Sequence, residues 1–221
     1  MPSLPPRRPR ASPPPPDRPP RTPEALARAA GFRCVAGIDE AGCGPWAGPV
    51  VAAAVILRAP SFPVRIDDSK RLTGAQRARA FRAILDHAAV GFGIVCAQDI
   101  DRANILQAAH AAMEGALREL PSRPDLILVD GRLPLAPPHP CWPIIRGDRR
   151  SYVIACASIM AKVLRDGLME FYHRLAPQYA FNRHKGYGTA LHSERLRALG
   201  PSVFHRRSFR PVADAILAEA A

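Results

Sequence analysis

The chain has 221 residues, 48% of them hydrophobic, enough to bury the core of one large domain. Lys and Arg exceed Asp and Glu by 31 − 19 = 12, an excess that favours a polyanionic partner, nucleic acid before a membrane surface. No apolar run is long enough to span a bilayer, and the Pro/Arg-rich start lacks the apolar stretch of a secretory signal. Five cysteines without a CxxC pair point to a cytoplasmic protein and away from structural zinc.

In chain order, residues 1–23 read as an extended Pro/Arg-rich tail, because proline removes donors and locks φ. Residues 24–221 read as the folded part, opening with a short helix from Glu24. A first strand is expected from Arg33 to Ile38 and a second from Pro49 to Leu57. Between them stand Asp39-Glu40-Ala41-Gly42-Cys43-Gly44. Adjacent strand residues face opposite ways, so two neighbouring acids serve one site only if the chain bends there. Glycine permits such a bend. Two carboxylates beside a turn with bare N–H groups suit a hard divalent cation next to a phosphate.

After Asp67-Asp68-Ser69-Lys70, Thr73 and Gln76 form a capping box for a helix whose apolar face is Phe81, Ile84, Leu85 and Ala88. A third strand is expected over 91–97, and one helix over 101–120. Asp125 to Gly131 reads as a buried strand ending in Asp130. A proline-rich loop spans 133–143, and Ile144-Ile145 reads as a short strand before Gly147-Asp148. A long helix is expected over 151–176, then a basic loop over 181–188, a helix capped by Thr189, and a terminal helix from Pro211. Strands followed by alternating strands and helices suggest a mixed sheet with helices packed on it. Asp39, Glu40, Asp130 and Asp148 all fall near strand or helix ends, where open α/β folds place sites. Four converging carboxylates would repel one another without cations; two divalent ions would neutralise them and bind a phosphodiester between them.

Only three of the 31 basic residues are lysine, Lys70, Lys162 and Lys185, which makes each a pointer to a place that wants a compact charge rather than a planar fork. Asp166 lies about 18 residues beyond Asp148, too far along a helix to share its site, and is expected to form an ion pair. The spacing of His184, His192 and His205 fits no zinc pattern and points to polar packing or phosphate contact. Arg206 and Arg207 are read as phosphate-binding or solvated.

These motifs, taken in order, resemble the type 2 ribonucleases H, the bacterial ribonuclease HII family. The resemblance covers about residues 36–212. It rests on the Asp39-Glu40 block, Asp68-Ser69-Lys70, Asn104 to Gln107, Val129-Asp130-Gly131, Gly147-Asp148, Ala157 to Asp166, His184 to Thr189, and His205 to Phe209. It implies the ribonuclease H-like α/β fold, a five-stranded mixed sheet flanked by helices with a helical C-terminal part. It also implies hydrolysis of the RNA strand of RNA–DNA hybrids and of ribonucleotides embedded in duplex DNA, leaving 3′-hydroxyl and 5′-phosphate ends. Asp39, Glu40, Asp130 and Asp148 match the family's carboxylate ligands for two ions, Mg²⁺ or Mn²⁺. Tyr187 matches the tyrosine that stacks by the sugar, and Gly42 and Gly44 match the turn whose backbone senses the 2′-hydroxyl. Cys43 stands where the family usually has arginine, which removes one cation from the substrate contact. Lys70 and Lys185 are expected to contact phosphate, and a monomer is expected. The rival readings are a hybrid-binding module with weakened cleavage and a different two-metal nuclease acting on DNA structures.

Overall fold

The computed structural model describes residues 22–59, 61–132 and 140–219. The expected tail up to residue 21, and residues 133–139 of the expected proline-rich loop, lie outside them. Thr22 and Pro23 already belong to the fold. The Thr22 hydroxyl accepts from Ala25 N–H at 3.2 Å and Pro23 opens α1 (Pro23–Ala29), where a missing N–H costs nothing.

Five strands form one sheet in the order β3-β2-β1-β4-β5. β1 (Val35–Ala41), β2 (Val50–Leu57) and β3 (Ala88–Val95) run antiparallel, while β4 (Leu126–Asp130) and β5 (Cys141–Ile144) run parallel to β1. β1 is therefore central, and its partners on both sides are nearly continuous runs of Val, Ile, Leu and Ala, as a sheet covered on both faces requires.

One face carries α5 (Tyr152–Leu175), with α2 (Gly74–His87) beside it; Ala53, Val55, Leu126, Leu128, Ile154, Ala157 and Ala161 pack there. The other face carries α4 (Ile105–Arg118), over Ile38, Ala52, Ala54, Ile127 and Val129. The α5 backbone comes so close to β1 that a Cβ on Gly37 would sit 2.5 Å from the Val153 carbonyl carbon. This contact holds the N-terminus of α5 against the strand that carries Asp39. Glu24 fastens the same helix end, since its Oε1 accepts from the Ser151 hydroxyl (2.7 Å) and Val153 N–H (3.1 Å).

Several boundaries differ from the sequence expectation. β3 begins at Ala88, inside the expected helix face, because the β2–β3 ladder pairs Leu57 with Ala88 and runs without a break to Val50 and Val95. The single helix expected over 101–120 is two, α3 (Ala97–Ala103) and α4, broken at Asn104. Asn104 has φ 89° and its side-chain oxygen accepts from the N–H groups of Leu106 and Gln107, a local alternative to helix that asparagine favours. β5 lies earlier than expected and contains Pro143, tolerated because β5 is an edge strand. The basic loop holds a one-turn helix, α6 (Phe181–His184), ahead of α7 (Ala190–Leu199) and α8 (Arg210–Glu219).

Candidate active site

A cleft of about 510 Å³ opens at the C-terminal ends of β1 and β4, lined by Asp39, Glu40, Ala41, Gly42, Cys43, Ser69, Lys70, Asp130, Asp148, Ser158, Lys162 and Tyr187. The four expected acids thus reach one cavity from three segments of chain. Asp39 and Glu40 lie near the end of β1, Asp130 ends β4, and Asp148 sits in a 3₁₀ turn (Gly147–Arg149) just before α5. Gly147 N–H donates to Asp130 Oδ1, which ties that turn to β4. Arg149 holds the same turn to the Ser69-Lys70 segment through Asp68, with Nη2 3.0 Å from Oδ2.

The expected bend at Asp39-Glu40 is absent. β1 keeps its register with β2 through Asp39↔Ala53, Glu40↔Ala52 and Ala41↔Val51. The parallel ladder to β4 stops at Ile38↔Val129. Beyond it the edge of β1 is open, so two acids on opposite faces border the same cavity without a break in the pleat.

Burial sets the electrostatics. Asp39 is 5% exposed, and its carboxyl is raised well above the usual range, by burial first and then by Glu40 and Asp130. Glu40 is raised by burial and by Asp130; Asp148 is raised by burial, Asp130 and Asp68. Lys70 opposes the rise at Glu40 and Asp148. The Ser158 hydroxyl stabilises the Asp39 carboxylate and lies 3.1 Å from the Ser69 hydroxyl. Among the described residues, no three His, Cys, Asp or Glu side chains stand close enough to ligate one ion as placed. Three of the acids are turned to local donors instead: Asp39 to Glu40 N–H (2.8 Å), Asp130 to Gly147 N–H, and Glu40 to the Cys43 thiol (3.6 Å). The donor set is nonetheless that of a hard divalent cation: carboxylate and hydroxyl oxygens, without imidazole. Burial and Glu40 push the Cys43 thiol up to about 12, which disfavours it as thiolate ligand or nucleophile.

The glycine turn is asymmetric. Gly42 has φ 102°, and a Cβ there would lie 2.1 Å from Arg165 Nε and 2.6 Å from the Pro49 carbonyl oxygen. Gly44 has no positive φ, and a Cβ there meets nothing within 4 Å. Tyr187, 43% exposed, presents its ring to the cleft, with Lys162 Nζ and Arg165 Cζ each 5.7 Å from the ring centroid. Lys185 does not face the cavity: its ammonium is bonded to Glu170 and to the Asn182 carbonyl. Asp166 forms the expected ion pair, 2.7 Å from Lys162. The three histidines are packing groups. His184 stacks on His192 at 4.2 Å, His192 Nε2 meets His205 Nε2 at 3.0 Å, and burial lowers His192 to about 4 and His205 to about 3.

Sequence reasoning placed Ser69, Ser158 and Lys162 inside motifs but not in the site. The scarcity of lysine was the usable signal for Lys162. It also missed two buried guanidinium groups beneath the turn. Arg165 donates to the carbonyls of Pro49 (3.0 Å), Lys185 (3.1 Å) and Ala47 (3.2 Å). Arg206 is fully buried, so it is neither solvated nor in contact with phosphate. Its distance in sequence from the turn left no local pattern to find it by.

The chain is similar to several known proteins. A ribonuclease HII from Chlamydia pneumoniae is 52% identical over 186 residues, covering 82% of this chain and 85% of that relative. The crystal structure of ribonuclease H2 from Pyrococcus horikoshii OT3 is similar with a TM-score of 0.70 at 23% identity, over 83% of this chain and 97% of that one. Bst-RNase HIII in complex with Mn²⁺ is similar with a TM-score of 0.62 at 21% identity, over 89% and 73%. At those identities the solved structures establish the ribonuclease H-like fold. The family model for ribonuclease HII matches residues 36–212, from the first residues of the central strand to the start of the last helix, and the chain belongs to the ribonuclease HII family.

Proposed function

We propose that Asp39, Glu40, Asp130 and Asp148 hold two divalent cations, Mg²⁺ or Mn²⁺, through which this endoribonuclease hydrolyses the RNA strand of RNA–DNA hybrids and ribonucleotides embedded in duplex DNA. The observation that carries this reading is the convergence of the four acids on one cleft, with three of them raised by burial and mutual repulsion. Such a cluster is relieved by bound positive charge. Held there, the cations would neutralise charge at the attacking and leaving oxygens, and breakage of the P–O3′ bond by water would leave 3′-hydroxyl and 5′-phosphate ends. Asp39, on the central strand and bordered by both Glu40 and Asp130, would stand at the centre of this ligand set.

The remaining residues position the substrate. Lys70 and Lys162 offer charge to phosphates flanking the cut. The Tyr187 ring stacks beside the sugar at the RNA–DNA junction. The N–H groups of the Gly42-Cys43-Gly44 turn donate to the 2′-hydroxyl. Lys185 anchors the loop that carries Tyr187, through Glu170 and Asn182. The active form is read as a monomer.

The test is cleavage of a hybrid, and of a duplex with a single ribonucleotide, in Mg²⁺ or Mn²⁺, with an all-DNA duplex alongside. Asp130→Asn should abolish cleavage while binding in Ca²⁺ persists. Near-normal turnover in that variant refutes the assignment. Binding without cleavage by the unaltered protein would identify a hybrid-binding module, and cleavage of the all-DNA duplex a different nuclease.

A further inference from the structure

Among the described residues the N–H groups of Cys43 and Gly44 have no hydrogen-bond partner. The carbonyls of the same two peptide units belong to Gly42 and Cys43, and one side chain holds both. Arg206 Nη2 donates to the Gly42 oxygen at 2.6 Å, Nη1 to the Cys43 oxygen at 3.1 Å, and Nε to the Gly48 oxygen at 2.9 Å. In a planar trans peptide the C=O and the following N–H point in opposite directions. Fixing both carbonyls to one buried guanidinium therefore turns both N–H groups away from it. Gly42 and Cys43 line the cleft, and the space beside Gly44 is open. Two adjacent donors beside the cleft are thus left for a ligand oxygen, the arrangement of a backbone nest.

Arg206 arrives from the far end of the chain and is secured on two sides. Gly48 N–H donates to the Phe204 carbonyl and Arg206 N–H to the Trp46 carbonyl, both at 2.8 Å, with Ala47 bridged to His205 between them. On the other side the Asp101 carboxylate accepts from Arg207 N–H, Ser208 N–H and the Ser208 hydroxyl. The guanidinium is fully buried and forms no salt bridge among the described residues; three backbone carbonyls are its counter-dipoles. Burial and the neighbouring Arg165 lower it to about 10, so it is still a cation at neutral pH. Burying a cation without an acid is costly, and this fold bears that cost where the group shapes a single turn.

We propose that Arg206 is a positioning residue for ribose recognition: by holding the carbonyls of Gly42 and Cys43 it aims the Cys43 and Gly44 N–H groups at the substrate 2′-hydroxyl. This rests on the reading of the glycine turn given above and adds the residue that sets its geometry. Lysine at position 206 would keep the charge but lose the planar fork that spans two carbonyls.

The experiment compares affinities in Ca²⁺ for two duplexes that differ by one 2′-hydroxyl, in the unaltered protein, Arg206→Lys and Gly42→Ala, with folding of each checked by thermal melting. Arg206→Lys should reduce the preference for the ribonucleotide duplex about tenfold, the worth of one or two hydrogen bonds. Its affinity for the all-DNA duplex should stay within about twofold, because the charge is retained. An unchanged preference, or an equal loss on both duplexes, overturns the proposal. Gly42→Ala deforms the turn itself. If it loses the preference and Arg206→Lys does not, only the role of Arg206 fails; if both keep it, the turn does not read ribose. Should Arg206→Lys not fold, Asp101→Ala loosens the segment that delivers Arg206. It should lower the preference about threefold with all-DNA affinity kept, and an unchanged preference there overturns the proposal.

Discussion

Replacing Asp39 by asparagine should make the metal-free protein more stable while destroying its activity. Asp39 is nearly inaccessible, and burial, Glu40 and Asp130 all raise its carboxyl. An acid raised on folding holds its proton more tightly in the folded state. Its contribution is therefore most favourable below the unfolded value near 4 and declines as pH rises towards the folded value. Asp39→Asn removes the charge but keeps an oxygen for Glu40 N–H, now at 2.8 Å, and sets an amide NH2 that the Ser158 hydroxyl can accept from in place of the other oxygen. What disappears is one buried, uncompensated charge, a penalty of about 1–3 kcal/mol. For a chain of this size that is a rise in Tm of roughly 2–12 °C at pH 8.

The gain should shrink as pH falls towards 4. His192 and His205 push the other way, because bases lowered on folding lose stability for the whole molecule as pH falls below about 6.5. The difference between variant and parent cancels that shared slope. The assay is thermal unfolding of both proteins in EDTA at pH 4, 6 and 8, repeated with Mn²⁺. Bound metal should stabilise the parent by about 2.7 kcal/mol at a hundredfold excess over Kd, and the variant by less. An Asp39→Asn protein that melts below the parent at pH 8 without metal, or a difference independent of pH, refutes the electrostatic account of the cleft.

Gly42→Ala should lower stability by about 2–4 kcal/mol in urea unfolding, from positive-φ strain and the clash with Arg165, whereas Gly44→Ala should stay within about 0.5 kcal/mol. Cys43→Arg should steepen the salt dependence of duplex binding by a slope of about 0.9, one phosphate contact, without moving the cut position. Tyr187→Ala should slow cleavage at a lone ribonucleotide by about 1–3 kcal/mol of lost stacking and leave all-DNA binding unchanged. Deleting residues 1–21, which carry five arginines and one acid, should leave Tm and saturated turnover unchanged and weaken binding only at low salt.

Much of the fold and of the acid set was legible in the chain because it is written in local pattern. The apolar runs over β1, β2 and β4 differ in period from the helices that follow, and Asp39, Asp130 and Asp148 stand next to the breaks in these patterns. Thr73 with Gln76, and Thr189, marked helix starts by chemistry that needs only three or four neighbouring residues. Where two local preferences competed, the sequence was ambiguous. Ala88 suits a helix face and a strand equally, and the ladder to Leu57 decided between them.

The tertiary structure alone decided how the acids meet and what shapes the glycine turn. Glu40 shares a cleft with Asp39 because the β4 ladder ends one residue earlier, a fact about a neighbouring strand rather than about either residue. Lys185 and Lys162 look alike in sequence, yet one is bonded to Glu170 and Asn182 while the other enters the cleft. Arg206 reads as one more surface arginine until the return of the chain places it under Gly42 and Cys43, 164 and 163 residues away. Periodicity and capping act over a few residues and leave a mark in the sequence; a carbonyl held from the other end of the chain leaves none.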